Sequence, residues 1–322
     1  MNLLAGLYPL PRFRVSRHRR VLWAMSSAAI LLSLIGIAIS WSAPSIRAPL
    51  RPGLDFTGGT QIQIQRDCGD RCGQLRSNQV RDSLNQIDLP TEPDTPEPSL
   101  AAAGVQLLDG GASVLLRLPA LSAAQGQAVV EGLAPVLGAV QPGGVSIDTI
   151  GPILGTRLLR SSLLSLAVSL VGIALYISLR YDRIYAFLAL LCLGHDVLIT
   201  CGVFAWLGLL AGVEANSLFA VALLTIAGYS VNDTVVIFDR IREKRRLLEG
   251  MNLTDQADEA VTATFTRSVY TSLTTLLPLV ALILFGGSTL FWLAVALTIG
   301  IAVGAWSSIG VASTLLPVLS RR

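Results

Sequence analysis

Six nearly unbroken apolar runs, each close to the thickness of a bilayer, are strung along this chain between short charged segments and one long polar one. They fall at 21–41, 161–179, 184–210, 217–238, 269–285 and 289–319. A hydrocarbon core of ~30 Å takes about 20 apolar residues in a helix, so each run predicts a membrane span. The long polar stretch, 42–157, has a different rhythm. Residues 60–66 (TQIQIQR) alternate strictly and predict a strand. Residues 74–87 carry Leu75, Val80, Leu84 and Ile87 at helical spacing. The runs 105–108 and 113–118 flank Asp109, Gly110 and Gly111, a hairpin turn signal. Ser122 is placed to cap a helix reaching Val140, and 145–150 predicts a last strand. The order β-α-β-β-α-β is that of a ferredoxin-like split βαβ domain. Four prolines (Pro90, Pro93, Pro96 and Pro98) make 89–99 a loop.

Composition agrees with this division. The 322 residues are 52% hydrophobic and 14% charged, against about 25% charged in a soluble domain. The net charge of +3 is small, but its placement is informative. Arg12, Arg14, Arg17, Arg19 and Arg20 precede the first span, and Arg180 and Arg183 separate the second from the third. Arg240, Arg242, Lys244, Arg245 and Arg246 follow the fourth span, and Arg321 and Arg322 end the sequence. With six spans all four clusters fall on one side, which the positive-inside rule makes the cytoplasm. Residues 1–20 are thus expected inside, 21–41 as the first span and 42–157 as one extracytoplasmic domain. Spans two to six follow within 158–322, with an inner loop at about 239–268. The basic start leads into a full-length span without a small-residue cleavage site, so it predicts an anchor rather than a cleaved signal.

Ionisable residues inside spans are costly and are functional candidates by default. His195 and Asp196 lie in the middle of the third run. Neighbouring helix positions point about 100° apart, so the two are not expected to share a face. Asn232 and Asp233 interrupt the fourth run, well before the charged boundary at 239–246. Arg267 opens the fifth run from the same side as Asp233 and at similar depth. An Asp233–Arg267 pair would neutralise both charges and form a protonation-sensitive contact, the layout of a proton relay. Gly300 and Gly304 with Ser308 form a small-residue face suited to close helix packing. Pro278 is expected to kink the fifth helix, with Thr274 or Ser272 meeting the freed carbonyl. Cys192 and Cys201 lie in apolar runs, whereas Cys68 and Cys72 could form a short-loop disulfide outside the membrane. The chain has no HExxH, P-loop or GxSxG motif, and its two histidines, His18 and His195, do not neighbour the cysteine pair. No enzyme chemistry and no metal or cofactor is expected, so the energy source lies elsewhere.

Several stretches resemble one family over nearly the whole length. GLDFTGG at 53–59 contains Gly53, Asp55, Gly58 and Gly59, and IGPILG at 150–155 contains Gly151, Pro152 and Gly155. Gly194, His195 and Asp196 follow in the third span. GYSVNDTVVIFDRIRE at 228–243 runs from Gly228 through Asp239 and Arg240. Arg267, TSLTT at 271–275 and FGG at 285–287 complete the order. In these the chain resembles the SecF half of the SecD/SecF protein-export family, of the resistance-nodulation-division superfamily. It departs at 259–265, at Lys244 and at the insert CGDRC.

The resemblance implies six spans with an extracytoplasmic ferredoxin-like domain, paired pseudo-symmetrically with SecD in the bacterial inner membrane. It implies a SecYEG channel as partner, with SecA and YajC as further candidates, and unfolded preproteins as substrates. The proton gradient would replace any cofactor, and Asp233 and Arg267 would carry the coupling, with Asp196, His195 and Asn232 beside them. Lipid surrounds the spans, and no nucleic acid is expected. Two rivals stay open: a proton-driven exporter of small molecules or lipids from the same superfamily, and a membrane assembly factor whose buried charges only lock helices together.

Overall fold

The computed structural model describes residues 13–68, 75–91 and 98–320. Cys72 and most of the proline-rich loop at 89–99 lie outside the described residues; Cys68 is disulfide-bonded. The chain divides into two compact units, Pro52–Ser161 and a second formed by Met1–Arg51 with Ser162–Arg322.

The unit between the first two spans is built as its alternation requires. After a short helix α2 (Leu54–Thr57) come β1 (Gly59–Arg66), α3 (Ser77–Leu84), β2 (Gly104–Leu108), β3 (Ser113–Leu118), α4 (Ala123–Leu137) and β4 (Val140–Ile150). The sheet order is β2-β3-β1-β4, antiparallel throughout, which is the ferredoxin-like topology the pattern predicts. Period-two alternation puts Ile62 and Ile64 of β1 and Val114 and Leu116 of β3 on one face, all fully buried. Val80 and Leu84 of α3 and Val129, Leu133 and Leu137 of α4 close over that face. Ser122 does cap α4, in a reciprocal box: Gln125 N donates to Ser122 Oγ at 3.2 Å and Ser122 N donates to Gln125 Oε1 at 3.1 Å. The β2–β3 loop turns on Gly110 at φ +64° and Gly111 at φ +95°, conformations glycine adopts without a Cβ penalty. α4 stops at Leu137, three residues short of expectation, because Gly138 at φ +77° ends it and β4 begins at Val140.

Among the described residues six helices are long and apolar enough to cross a membrane, and the other unit is built from them. α1 (Arg19–Ser42) follows a 3₁₀ turn at Val15–His18, and α5 (Pro152–Arg180), α6 (Arg183–Ala211), α7 (Ser217–Leu247) and α8 (Leu253–Phe285) follow the sheet. The last span is α9 (Gly287–Trp306), a π-helical segment Ser307–Ala312 and α10 (Ser313–Leu319). α6 and α7 form the centre, and α1 leans on α6 through a stripe of small residues. Ser26, Ser33, Gly36 and Ser40 are its buried positions. At Gly202 of α6 the Ser33 side chain fills the place of a Cβ. Small residues let backbones approach where lipid gives no hydrophobic push between helices.

Three expectations change. α5 starts at Pro152, nine residues before the predicted second span, because proline at a helix start already has the right φ and needs no amide donor. The expected inner loop at 239–268 is mostly helix: α7 continues to Leu247, α8 begins at Leu253, and 248–252 connect them. That extension of α8 is polar in composition yet packed, with Gln256, Asp258 and Thr262 buried beside Ala257, Ala260 and Val261. Asp258 accepts from Ser16 N at 3.0 Å and from Ser16 Oγ at 2.5 Å, and Phe13 stacks on Phe265. Finally, α8 stays helical through Pro278, and the change there concerns the expected partners of the freed carbonyl. Thr274 Oγ1 donates to the carbonyls of Tyr270 and Thr271, and Ser272 Oγ has no partner, so neither meets the carbonyl that the proline frees.

Candidate functional site

The acidic side chains of the spans gather where α6, α7 and the last span meet. Asp196 is fully buried. Its Oδ1 shares a 2.8 Å hydrogen bond with His195 Nδ1. Its Oδ2 accepts from Ser230 Oγ of α7 at 2.6 Å and from Ser307 Oγ at 2.8 Å, the first residue of the π segment. The 100° argument that separated His195 from Asp196 is therefore corrected. The two Cα–Cβ directions do diverge, but the imidazole is long enough to swing back onto its neighbour's carboxyl. His195 Nε2 is buried without a hydrogen-bond partner. Three side chains of the chain itself satisfy the Asp196 carboxyl.

Close packing makes this seat. Gly304 of α9 lies against Ser230, where a Cβ would sit 3.5 Å from both Ser230 Cα and Asp196 Oδ2. Gly300 admits Ile226 in the same way, so the predicted small-residue face does pack closely, on α7. One turn further along, Thr234 Oγ1 and Ser308 Oγ share a 2.9 Å bond between α7 and the π segment. Ser308 Oγ also reaches Gly304 O at 2.9 Å, and Thr234 Oγ1 reaches Ser230 O at 3.0 Å. Hydroxyls that hydrogen-bond within the helix and across to a neighbour satisfy polar groups which lipid would leave bare.

Asp233 sits one turn beyond Ser230 on the same face of α7, 8% exposed. It makes no hydrogen bond or ion pair among the described residues, and its charged neighbours are Arg267 and Asp196. Asp233 and Arg267 lie equally far in sequence from the 248–252 connection. At 1.5 Å per residue, both are about 21 Å along their helices from that turn. The level placement matches the sequence argument, but the two are not in ion-pair contact, and Arg267 is exposed. Asn232 points elsewhere, onto an exposed stripe of α7 with Val221, Thr225 and Gly228. Asp239 and Arg240 lie further on: Asp239 is 4.0 Å from Arg242, Arg240 pairs with Glu243, and Lys244 comes within 3.9 Å of Glu259 of α8.

The glycine motifs form a second constellation, inside the sheet unit. Gly53 opens α2 and receives Thr57 Oγ1 on its carbonyl at 3.2 Å, with Asp55 in the first turn. Gly58 (φ +71°) and Gly59 (φ +129°) turn the chain into β1. A Cβ at Gly58 would meet Pro152 Cα at 2.9 Å, and one at Gly155 would meet Gly58 N at 2.9 Å. The two motifs, far apart in sequence, thus dock backbone to backbone at the start of α5, while Gly151 is unhindered. Their role is mutual packing of the domain's first turn and last helix.

Sequence reasoning missed Ser230 and Ser307 as partners of Asp196. Ser230 lay within the motif at 228–243, whereas Ser307 carries no signal of its own in the sequence until Asp196 is known to be its partner.

Residues 137–322 match the family described as protein export membrane protein SecD/SecF, C-terminal, and residues 47–70 match the SecD/SecF GG motif. The protein translocase subunit SecF of Prochlorococcus marinus is 50% identical over 94% of this chain and 94% of its own length. The corresponding subunit of a Synechocystis strain is 44% identical over 91% of this chain and 90% of its own. The crystal structure of SecDF from Thermus thermophilus, described as a translocon-associated membrane protein, superposes with a TM-score of 0.79 at 30% identity. That match covers 98% of this chain but 40% of the solved one.

Proposed function

The chain belongs to the SecD/SecF family of protein-export membrane proteins, and from that premise we propose that it is the SecF-type subunit that couples proton entry to preprotein export. It is a multi-pass membrane protein of the Sec export machinery, a transport component and not an enzyme. In the proposed cycle it works with a SecD-type partner at a SecYEG channel, with SecA and YajC alongside, and draws unfolded preproteins outward. It sits in the bacterial inner membrane with both termini in the cytoplasm. The basic residues before α1, at Arg180 and Arg183 and at the end of α7 support that orientation.

The observation that carries the reading is Asp233: a carboxyl on a buried face of a span, with no hydrogen bond and no ion pair among the described residues, and with an arginine at the same depth among its charged neighbours. A purely structural carboxylate in lipid is expected to be tied down as Asp196 is, since unpaired charge there is costly. Asp233 is free to take or release a proton, and Arg267 is placed to approach it when it is charged and to leave when it is neutral. The exposed stripe of α7 bearing Gly228 and Asn232, and the exposure of Arg267, supply a polar, small-residue face for a SecD-type partner. The 40% coverage of the solved SecDF chain agrees with this chain being one half of such an assembly.

The test is Asp233→Asn and Arg267→Met in proteoliposomes holding the channel, the partner and an imposed proton gradient. One charge moving through 100 mV gains about 2.3 kcal/mol. Both variants should insert and keep their partners while losing gradient-dependent stimulation of export. Normal gradient-dependent export in both would overturn the proposal.

A further inference from the structure

A π-helical segment, Ser307–Ala312, interrupts the last span. A π turn amounts to one extra residue inside an α-helix, and such bulges recur at functional sites. Here the bulge begins at Ser307, whose hydroxyl sits on Asp196 Oδ2 at 2.8 Å. The next residue, Ser308, reaches Thr234 of α7. Because each residue turns a helix by about 100°, an uninterrupted α-helix could not present both α9 and α10 to α6 and α7 with their present faces. It would carry Ser307 and Ser308 off their partners, or else rotate Val311, Ala312 and Leu316 out of the core in which they are buried.

The surrounding sequence supports the bulge where its ladder is disturbed. Ser313 Oγ donates to Ile309 O and Thr314 Oγ1 to Gly310 O at 2.6 Å. From α6, the Cys192 thiol approaches Ser307 O at 3.9 Å. Two hydroxyls and one thiol thus serve the carbonyls of a segment of six residues. This provision lets the helix hold the π register in an apolar medium.

We propose that Ser307–Ala312 is a register latch for the coupling site, in which the π form seats Ser307, as a positioning residue, on Asp196, and a return to α-helical register withdraws it. The inference rests on the proton-coupling reading above and adds to it a moving part. Among the described residues Asp196 is the one carboxyl bonded to both α7 and the last span, so its seat links the helix bearing Asp233 to the helix that would shift. The titratable groups that face Asp196 are His195 and Cys192 on its own helix and Asp233 on α7, with Arg267 of α8 acting on Asp233. The last span contributes hydroxyls only.

Cys192 is a native reporter, because it is fully buried against Ser307. The full chain is expressed with its partner in native membranes, with Cys201→Ser, and Cys192 is labelled with N-ethylmaleimide. Deleting Ile309, which removes the extra residue, and Ser307→Ala, which keeps the register but removes the seat, should each speed labelling about tenfold, the worth of one buried hydrogen bond to a charged group. Each should also lose gradient-dependent export, and Ser307→Thr should restore slow labelling and export together. If the deletion variant fails to insert, the Ala and Thr variants carry the test alone. Unchanged labelling or normal export in Ser307→Ala overturns the latch. Asp233→Asn reports separately: lost export there, with normal export in Ser307→Ala, leaves the coupling proposal standing and removes only the latch, whereas normal export in Asp233→Asn removes the coupling proposal itself.

Discussion

The sheet unit and the helical unit both bury hydrocarbon, but they differ in how much polar side chain they bury with it. The core of Pro52–Ser161 is mainly hydrocarbon: Ile62, Ile64, Val80, Leu84, Val114, Leu116, Val129 and Leu133 are all fully buried, with Thr60 among few polar exceptions. The helical unit buries His195, Asp196, Thr200, Ser230, Thr234, Ser307, Ser308, Ser313 and Thr314, and leaves Leu164, Val171 and Leu175 of α5 more than half exposed. The difference is one of solvent. In water, each Å² of apolar surface removed is worth about 25 cal/mol, so leucine goes inside. In a bilayer the surroundings are as apolar as leucine, and association rests on close packing and hydrogen bonds between helices. Serine, threonine and glycine then join Ile177, Leu188, Phe238 and Leu316 in the core, and a carboxyl can be held there if hydroxyls meet it.

The largest effect that could break this comparison comes from one substitution made on both sides. Leu116→Ala in β3 removes a fully buried side chain between sheet and helices and should cost about 2–5 kcal/mol. Leu175→Ala, with its side chain 59% exposed on α5, should cost close to nothing, because lipid fills what the side chain leaves. Hydrogen exchange on the intact protein in micelles reads both, through the amides of β1–β4 and those of α5. Comparable losses at the two sites would mean that α5 packs as a soluble helix does.

The same contrast explains how much could be read from sequence. Both hydrophobic periods were legible: alternation gave the strands with Ile62 and Ile64, and long apolar runs gave the six spans. The acidic residues of the candidate site stood out because charge is rare inside a span. Its hydroxyls did not, because a serine in a span is ordinary until its partner is known. Ser307 is significant only through Asp196, more than a hundred residues away. The π segment has no local signature, since its composition is that of any small-residue helix. The start of α8 was misread because Gln256, Asp258 and Thr262 look like loop, although they face Ser16, Phe13 and the 248–251 turn. Polar residues that are buried inside a membrane protein resemble, in sequence, residues exposed to water.

A smaller effect, still in the sheet unit, is expected from Thr60→Val. Thr60 is fully buried, its Oγ1 bonds Thr149 Oγ1 at 3.0 Å, and it accepts from Leu121 N at 2.8 Å. Valine keeps the shape but leaves the Leu121 amide without an acceptor where water cannot reach. An orphaned buried donor costs about 1–3 kcal/mol. Exchange of the Leu121 amide, which the threonine protects, should accelerate in step with the loss of domain stability. A change below half a kcal/mol would show that water enters this corner.

The smallest effect is the same substitution across the comparison. Thr234 is also fully buried, and its hydroxyl joins α7 to Ser308 at 2.9 Å and folds back on Ser230 O at 3.0 Å. Intuition assigns it more than Thr60, since the medium is less polar. Thr234→Val, however, strands very little. Ser308 keeps Gly304 O as acceptor at 2.9 Å, and a helix separated in lipid retains its internal hydrogen bonds, so the reference state is also satisfied. Interhelical hydrogen bonds in membranes average about 0.6 kcal/mol, and Thr234→Val should fall near that figure, below Thr60→Val. Unfolding of the helical unit by titrated detergent, with the two variants measured in the same preparation, checks the order. If Thr234→Val proved the more costly, the buried hydroxyls around Asp196 would be acting as one cooperative network, and a single serine such as Ser307 could not be withdrawn alone.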